Sequence, residues 1–521
     1  MSTLYRNGTI FTADAENPFA EALVVDGTTI TFAGALDHAI SRAGADAEVV
    51  DLTGRMLMPG IHDAHTHLLA SGLKYLYETR LTPFAPAPQI VEELRAADHQ
   101  TSGDSCCNWR IGGEVFPPAP GEGRLTRDQL DEAFPSDPVY LYDYSIHHAV
   151  VNSKALELAG IGESEEFGHG GIYRRDENGR LTGELIEEAT WKVLRQIPDR
   201  TREEYRTALA WAVEMCHRFG ITSIQEASAS RQALQAYQDL DSSDELNLHV
   251  AAHLVWRNEG FGMGTAEELD SLLDNADHWR SPHVDTGFVK IWIDGAPLPP
   301  VPTHSGLTED GDVDRSWLLV AENDLADAVA RFDAAGRTVK VHCAGPGAVR
   351  AFLNALDTVR DRNGDGMAHE VAHAGFVADE DFARIEALNA TAEMSPALWH
   401  IPEYGLGEGF HFARMVEGGI RMSIGSDWII TPDPNLFPAI QGMIQHRTYP
   451  VDLQTALTAV TRVGAEAVGK LESRGTLTAG KQADLIVLDR DLFNVDVNEV
   501  GGTKVLQTVI GGRMVYEAER K

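Results

Sequence analysis

Two histidines one residue apart, His65 and His67, close the string Leu57-Met58-Pro59-Gly60-Ile61-His62-Asp63-Ala64-His65-Thr66-His67. Residues i and i+2 of a strand project to the same face, so both imidazoles would point together at the end of a strand. Two converging imidazoles suit a borderline divalent ion such as zinc. A surface turn that happens to hold histidines is the alternative, weakened by Pro59-Gly60 ahead of the pair and by Asp63 between them. Further groups able to bind a metal or move a proton sit in later apolar runs. They are Lys290 in Gly287-Phe288-Val289-Lys290-Ile291-Trp292, His342 after Thr338-Val339-Lys340-Val341, His373 in Ala372-His373-Ala374, and Asp427 after Ser423-Ile424-Gly425-Ser426. Lys290 inside such a run is costly as a free ammonium, so something must pair or neutralise it. Asp427 alone could equally cap a helix beginning at Trp428. His369-Glu370-Val371-Ala372-His373 matches a metalloprotease string literally, but that string works on a helix and here falls in a strand pattern.

These groups need a scaffold that brings separated strand ends together. The middle of the chain alternates strands and helices, which implies a parallel sheet. After the opening strand, later ones are expected at Thr222–Ala227, Leu248–Leu254, Gly287–Trp292, Thr338–His342, Glu370–His373, Thr391–Ser395 and Arg421–Ser426. Together they make the eight strands of a (β/α)8 TIM barrel, whose chemistry sits at the C-terminal strand ends. Thr201 and Glu204 predict a capping box for a helix with Tyr205, Leu209, Ala212, Val213 and Cys216 on its apolar face, ended by Gly220. His217 on that helix reads as a surface or boundary residue. Both ends of the chain read as strands and turns, Leu4–Phe11 and Ala22–Gly27 at one end, Ala483–Asp489 and the hairpin Val505–Tyr516 at the other. We expect them to pair as a small β-sandwich domain from residues 1–56 and 471–521, with the barrel over 57–470. The stretch between the first two barrel strands is too long for one connection, so an insertion over about 70–215 is expected at the barrel mouth.

The string Pro-Gly-x-x-Asp-x-His-x-His resembles the metal-binding first strand of the amidohydrolase superfamily. His147 with Asn152-Ser153-Lys154-Ala155-Leu156, then Gly170-Gly171-Ile172 and Thr182-Gly183-Glu184-Leu185, resemble its YtcJ-like branch, the amidohydrolase 3 group that includes N-substituted formamide deformylases. The return through Gly475-Thr476-Leu477 and Gly480-Lys481-Gln482-Ala483-Asp484 is similar to that of amidohydrolases. The resemblance implies metal ligands at His65, His67, Lys290, His342, His373 and Asp427, and one or two zinc ions. It implies that Lys290 can be carboxylated and bridge two metals, a plain salt bridge being the alternative. Zinc lowers the pKa of a bound water to roughly 7, and the resulting hydroxide would attack a carbonyl that the ion polarises. Asp427 would act as general base and then acid, and His147 from the insertion would bind the substrate oxygen. The implied reaction is hydrolysis of a non-peptide C–N bond in a small neutral N-substituted amide.

Departures from that pattern lie in the substrate loops: Ser145-Ile146 before His147, Ala296-Pro297-Leu298-Pro299-Pro300 after Asp294-Gly295, and Pro346 where an aspartate often follows the fifth strand. A deaminase or a cyclic-amide (lactam or imide) hydrolase of the same superfamily is the alternative. Many of those deaminases carry a glutamate three residues after the fifth-strand histidine, where this chain has Gly345. A non-catalytic scaffold homologue is the outside alternative, disfavoured because every ligand position is retained. The aromatic residues Trp399, Tyr404, Phe410 and Trp428, after the seventh and eighth strands, are candidates to line the pocket, with core the competing fate for Trp399 and Trp428.

Composition narrows the partners. A formal charge of -36 on 521 residues repels nucleic acid and anionic membranes alike. It also disfavours an acidic substrate, which leaves a neutral or cationic small molecule. No apolar run approaches the roughly 18 residues of a transmembrane helix, and the polar N-terminus has no signal-like block. Cys106, Cys107, Cys216 and Cys343 form neither a disulfide framework nor a Cys-x-x-Cys pair, so a cytoplasmic enzyme is expected, with room for a homodimer.

Overall fold

The computed structural model describes residues 2–97, 108–115, 124–299, 301–396 and 405–519. An eight-stranded sheet runs, in chain order, through Ile61–Thr66, Ile221–Ala229, His249–Val255, Val284–Trp292, Thr338–His342, Glu370–Ala372, Thr391–Met394 and Arg421–Ile424. Every neighbouring pair is parallel. The last strand returns to the first through a bridge between Thr66 and Trp428 and a 2.7 Å bond from Asp427 N–H to His65 O. Asp63 reinforces that seam. Its carboxylate accepts from Ser426 N–H at 2.9 Å and from the Ser426 hydroxyl at 2.6 Å. The sheet is therefore a nearly closed (β/α)8 barrel whose strands are buried on both faces, as parallel strands covered by helices must be. The second strand, Ile221–Ala229, is buried at all nine positions.

The outer helices follow the apolar periodicity. Arg202–Arg218 begins with the expected reciprocal cap between Thr201 and Glu204 and buries Leu209, Ala212, Val213 and Cys216. His217 is buried at the edge of this helix, its Nε2 2.6 Å from Asn247 O.

Strands from the two ends of the chain share one eight-stranded mixed sheet. Ser2–Phe11 lies between Phe19–Asp26 and Met56–Pro59, and Leu485–Leu488 joins on the far side of Met56–Pro59. The apolar run ahead of the histidine pair is thus split between two sheets. Leu57 and Met58 pair in the terminal sheet, and the barrel strand begins only at Ile61. Leu23, Ile30, Leu57, Leu477, Leu485 and Val487 form the terminal sheet's own core.

Between the first two barrel strands the chain builds a six-stranded sheet, ordered Gly171–Arg175, Leu181–Glu187, His148–Val151, Val139–Asp143, Arg110–Val115 and Thr79–Arg80. An ion pair made by the buried Lys74 fixes this insertion to the barrel rim. Lys74 Nζ lies 2.6 Å from Glu114 and also donates to Ile429 O at 2.6 Å. Among the described residues no helix is long and apolar enough to cross a membrane.

Candidate active site

Five strand ends of the barrel converge on one point. His65 and His67 leave the first strand with ring centroids 5.4 Å apart, and His373 packs 4.7 Å from His65 and 4.6 Å from His342. Asp427 Oδ1 lies 3.5 Å from His67 Nε2 and 3.9 Å from His65 Nε2, and Oδ2 lies 4.0 Å from His373 Nδ1. One ligand atom from each of His65, His373 and Asp427 falls within 4.8 Å of the others, the spacing of donors around one ion. His373 and Asp427 lie just past their strands with positive φ, 69° and 50°, a backbone region that non-glycine residues occupy mostly where the surroundings demand it. No helix starts at Trp428; the next begins at Phe437, which removes the helix-cap reading of Asp427.

The far nitrogens of three rings are held from behind. His65 Nδ1 meets Glu393 at 2.6 Å, His67 Nδ1 meets Ser228 Oγ at 2.8 Å, and His342 Nδ1 meets Asp294 at 2.9 Å. Such partners fix ring orientation and leave Nε2 free to bind, a pattern common around metal-binding histidines. Burial first, then the charge of Lys290, holds His65 and His342 well below the usual imidazole range and brings His67 down to about 3. All three rings are therefore neutral near pH 7, with a lone pair available. Asp294 also accepts from the N–H groups of Ser305, Ala344 and Gly345, although burial raises its carboxyl to about 7.

Two lysines in the barrel interior are equally buried and differently served. Lys340 lies 3.0 Å from Glu370, 3.7 Å from Glu393 and 2.6 Å from Ala64 O. Among the described residues Lys290 Nζ has no hydrogen-bond partner, and it lies 5.0 Å over the Trp292 ring. Among the described residues Lys290 forms no simple salt bridge, and burial lowers its pKa to about 8, aided by Lys340. Glu370 of the protease-like string sits on a strand against Lys340, and His369 binds Asp333 at 3.0 Å, so the string has no helical metal site.

His147 joins from the insertion, its ring 5.9 Å from His342 and 5.3 Å from Phe261. A cavity of about 350 Å³ opens between them, reached by His65, His67, Lys290, His342, His373 and Asp427. Its walls are mainly apolar: Ile111, Tyr140, Tyr142 and Ile146 from the insertion, and Phe261, Trp292, Leu298, Phe376 and Phe410 from the barrel loops. Phe410 thus lines the cavity as expected, whereas Trp428 does not. Trp428 is fully buried behind the site, its ring tilted against Tyr75 and Trp211 at about 6 Å, because the seam between the last and first strands turns its ring outward into the helix layer. Trp399 and Tyr404 lie outside the described residues, as do Cys106 and Cys107, while Cys216 and Cys343 are free and buried.

The sequence did not single out Glu393, Asp294, Ser228 or Glu187 as partners of these histidines. A carboxylate in the middle of an apolar strand, Thr391-Ala392-Glu393-Met394, was the available signal for the first. Glu187 carried no such mark.

The family model described as "Amidohydrolase family" matches residues 48–516. The N-substituted formamide deformylase of Arthrobacter pascens is 26% identical over 98% of this chain and 97% of that protein. The putative amidohydrolase YtcJ of Bacillus subtilis is 25% identical over 99% and 100%. A crystal structure of an uncharacterized metal-dependent hydrolase from Pyrococcus horikoshii superimposes with a TM-score of 0.73 at 22% identity, covering 96% of this chain and all of that one, and corroborates the fold. With nine-tenths of its length under the family model, and strand-end histidines gathered at one cavity, the chain belongs to the amidohydrolase family, hydrolases of carbon–nitrogen bonds.

Proposed function

We propose that the protein is a metal-dependent hydrolase of a small neutral N-substituted amide, releasing an amine and a carboxylic acid. The observation that supports this most is the gathering of His65, His67, His342, His373, Lys290 and Asp427 at the floor of a largely apolar cavity. Nitrogen and carboxylate donors, with three imidazoles backed by hydrogen-bond partners, fit a zinc-type ion. Those six residues would hold one or two such ions, and when bound the metal supplies Lewis-acid polarisation of the carbonyl and acidifies a water.

The chain's own groups then have separable tasks. Asp427 takes the proton of the attacking water and returns it to the leaving nitrogen. Burial, followed by the charge of Glu393, lifts its carboxyl to about 7, and a bound cation would draw it back down and keep the carboxylate ready to accept that proton. Lys290 has no hydrogen-bond partner among the described residues, and burial lowers its pKa to about 8; the neutral amine would add carbon dioxide, with loss of a proton, to give a carboxylate that could help hold the metal. His147 meets the carbonyl oxygen from the insertion side. Phe261, Tyr142, Ile111 and Phe410 exclude water and receive an aromatic or alkyl substituent.

The position where related deaminases hold a glutamate has no room for one. A Cβ on Gly345 would stand 2.2 Å from Ser305 O, which counts against the deaminase reading.

The substrate class is tested by comparing N-benzylformamide with an anionic N-acyl amino acid of equal size, using zinc-loaded protein. Faster release of benzylamine is expected; the reverse order removes the apolar-pocket argument. Unchanged turnover in a His65→Ala/His67→Ala variant removes the metal assignment.

A further inference from the structure

Glu187 closes the insertion strand Leu181–Glu187 directly behind His147. Its backbone N–H donates to His147 O at 2.8 Å, and its carboxylate Oε2 lies 2.8 Å from His147 Nδ1. The other oxygen, Oε1, accepts from the Thr303 hydroxyl and from Ala296 N–H at 3.3 Å. Both of these follow the fourth barrel strand, so the carboxylate is gripped from the barrel on one side and faces the insertion's histidine on the other.

Three features make this arrangement expensive to build. Glu187 has φ 52° and ψ -127°, far from the regions a side-chain-bearing residue prefers. Its carboxylate is buried, at 6% exposure, and must lose its hydration. Gly295 must lack a side chain, because a Cβ there would stand 2.1 Å from Glu187 Oε1. A segment needed only for packing could take an apolar residue on a relaxed backbone instead. Strain of this kind persists where it positions a group.

We infer that Glu187 is the positioning residue for His147: it holds the ring with Nδ1–H on the carboxylate, and the imidazolium that this negative charge favours presents Nε2–H to the cavity as the donor to the substrate oxygen, while Gly295 makes the room this requires. An ionised carboxylate only accepts hydrogen bonds, so the proton on the paired nitrogen is fixed at Nδ1. Turning the ring would leave a buried negative charge with only the Thr303 and Ala296 donors, a costly state. Thr303 and Ala296 fix the carboxylate, which in turn fixes the ring. The inference rests on the reading of His147 as the group that meets the carbonyl oxygen.

The pair could instead serve merely to tie the insertion to the barrel, and a double-mutant cycle separates the two roles. His147→Ala, Glu187→Gln and the double variant are prepared with zinc and assayed for kcat and KM on the amide. Bound zinc and the low-field imidazole N–H resonance are recorded in parallel. Glu187→Gln is expected to lower kcat about 10- to 100-fold with zinc content unchanged, the usual size for loss of an outer-shell partner. Added to His147→Ala it should cost nothing further, since groups acting as a unit are not additive. The His147 Nδ1–H resonance should be absent in Glu187→Gln, and Gly295→Ala should reproduce both effects. If Glu187→Gln does not fold, Thr303→Val serves in its place, with a smaller kcat loss that vanishes on the His147→Ala background. Additive losses, or a resonance that survives Glu187→Gln, overturn the inference alone. Wild-type kcat in His147→Ala overturns the role of His147 and this inference with it.

Discussion

Glu393 and Glu187 each hold a histidine at the same cavity, one from the barrel floor and one from the insertion above it. Glu393 reaches His65 at 2.6 Å from the seventh strand while accepting from the Ser395 hydroxyl at 2.7 Å and lying 3.7 Å from Lys340. It sits inside regular strand backbone, and its neighbours on either side are buried strand residues. Glu187 reaches His147 at 2.8 Å only by leaving the allowed backbone regions. Register supplies the floor: parallel strands of one barrel bring their ends together whatever their connections do. The insertion has no such register with the barrel, so its histidine depends on a local, strained grip. The difference suggests a division of labour, with the floor carrying the chemistry and the insertion deciding what enters and how its oxygen is met.

Experiments can sharpen or break that division. The largest effect belongs to the floor. Lys290→Ala is expected to remove measurable turnover and lower bound metal, with activity partly restored by acetate or propionate, which would stand in for a lysine carboxylate. Full activity in the unsupplemented variant, with metal content unchanged, rules out that role. Next, Glu393→Gln should weaken zinc binding by about 10- to 100-fold in a competition titration, because it loosens the hold on His65. An unaltered zinc affinity would mean that the floor does not need its outer partner.

The cavity wall gives a smaller and different response. Phe261→Ala should raise KM for a benzyl amide on the order of 10-fold with kcat little changed, the signature of lost uniform binding in an apolar pocket. A loss confined to kcat would assign that wall to the chemistry and blur the contrast with the floor. The smallest catalytic effect is expected at Glu370→Gln. Removing one partner of the buried Lys340–Glu370 pair should cost about 3–5 kcal/mol of stability, read from urea unfolding. The kcat of the folded protein should stay within a few-fold, and a fall of several orders of magnitude would revive the protease-like reading of His369–His373.

Much of the floor was legible in the chain. The eight strands fell where period and turn residues put them, because buried parallel strands need continuous apolar runs and leave that mark locally. Histidines and an aspartate at the ends of such runs are conspicuous, since polar groups there must be used or paired. The capping box at Thr201 was equally local and equally visible. Other features depended on contacts that no local pattern encodes. The string before His65 reads as one strand but divides at Gly60, because Leu57 and Met58 find partners at Val487 and Ile486, far along the chain. Trp428 could have faced the cavity or the core, and the closing seam of the barrel turned it into the core.

By itself the sequence determined the parallel barrel, the β-rich ends and the set of candidate ligands, all consequences of periodicity and of the cost of burying polar groups. Only the tertiary structure decided which carboxylate stands behind which histidine. It gave Lys340 its partners but Lys290 none among the described residues, and it brought Glu187 to His147. Those choices are made by side chains 30 to more than 300 positions apart, and a hydrogen bond a few ångströms long is set by where the fold places its two ends, not by any spacing along the chain.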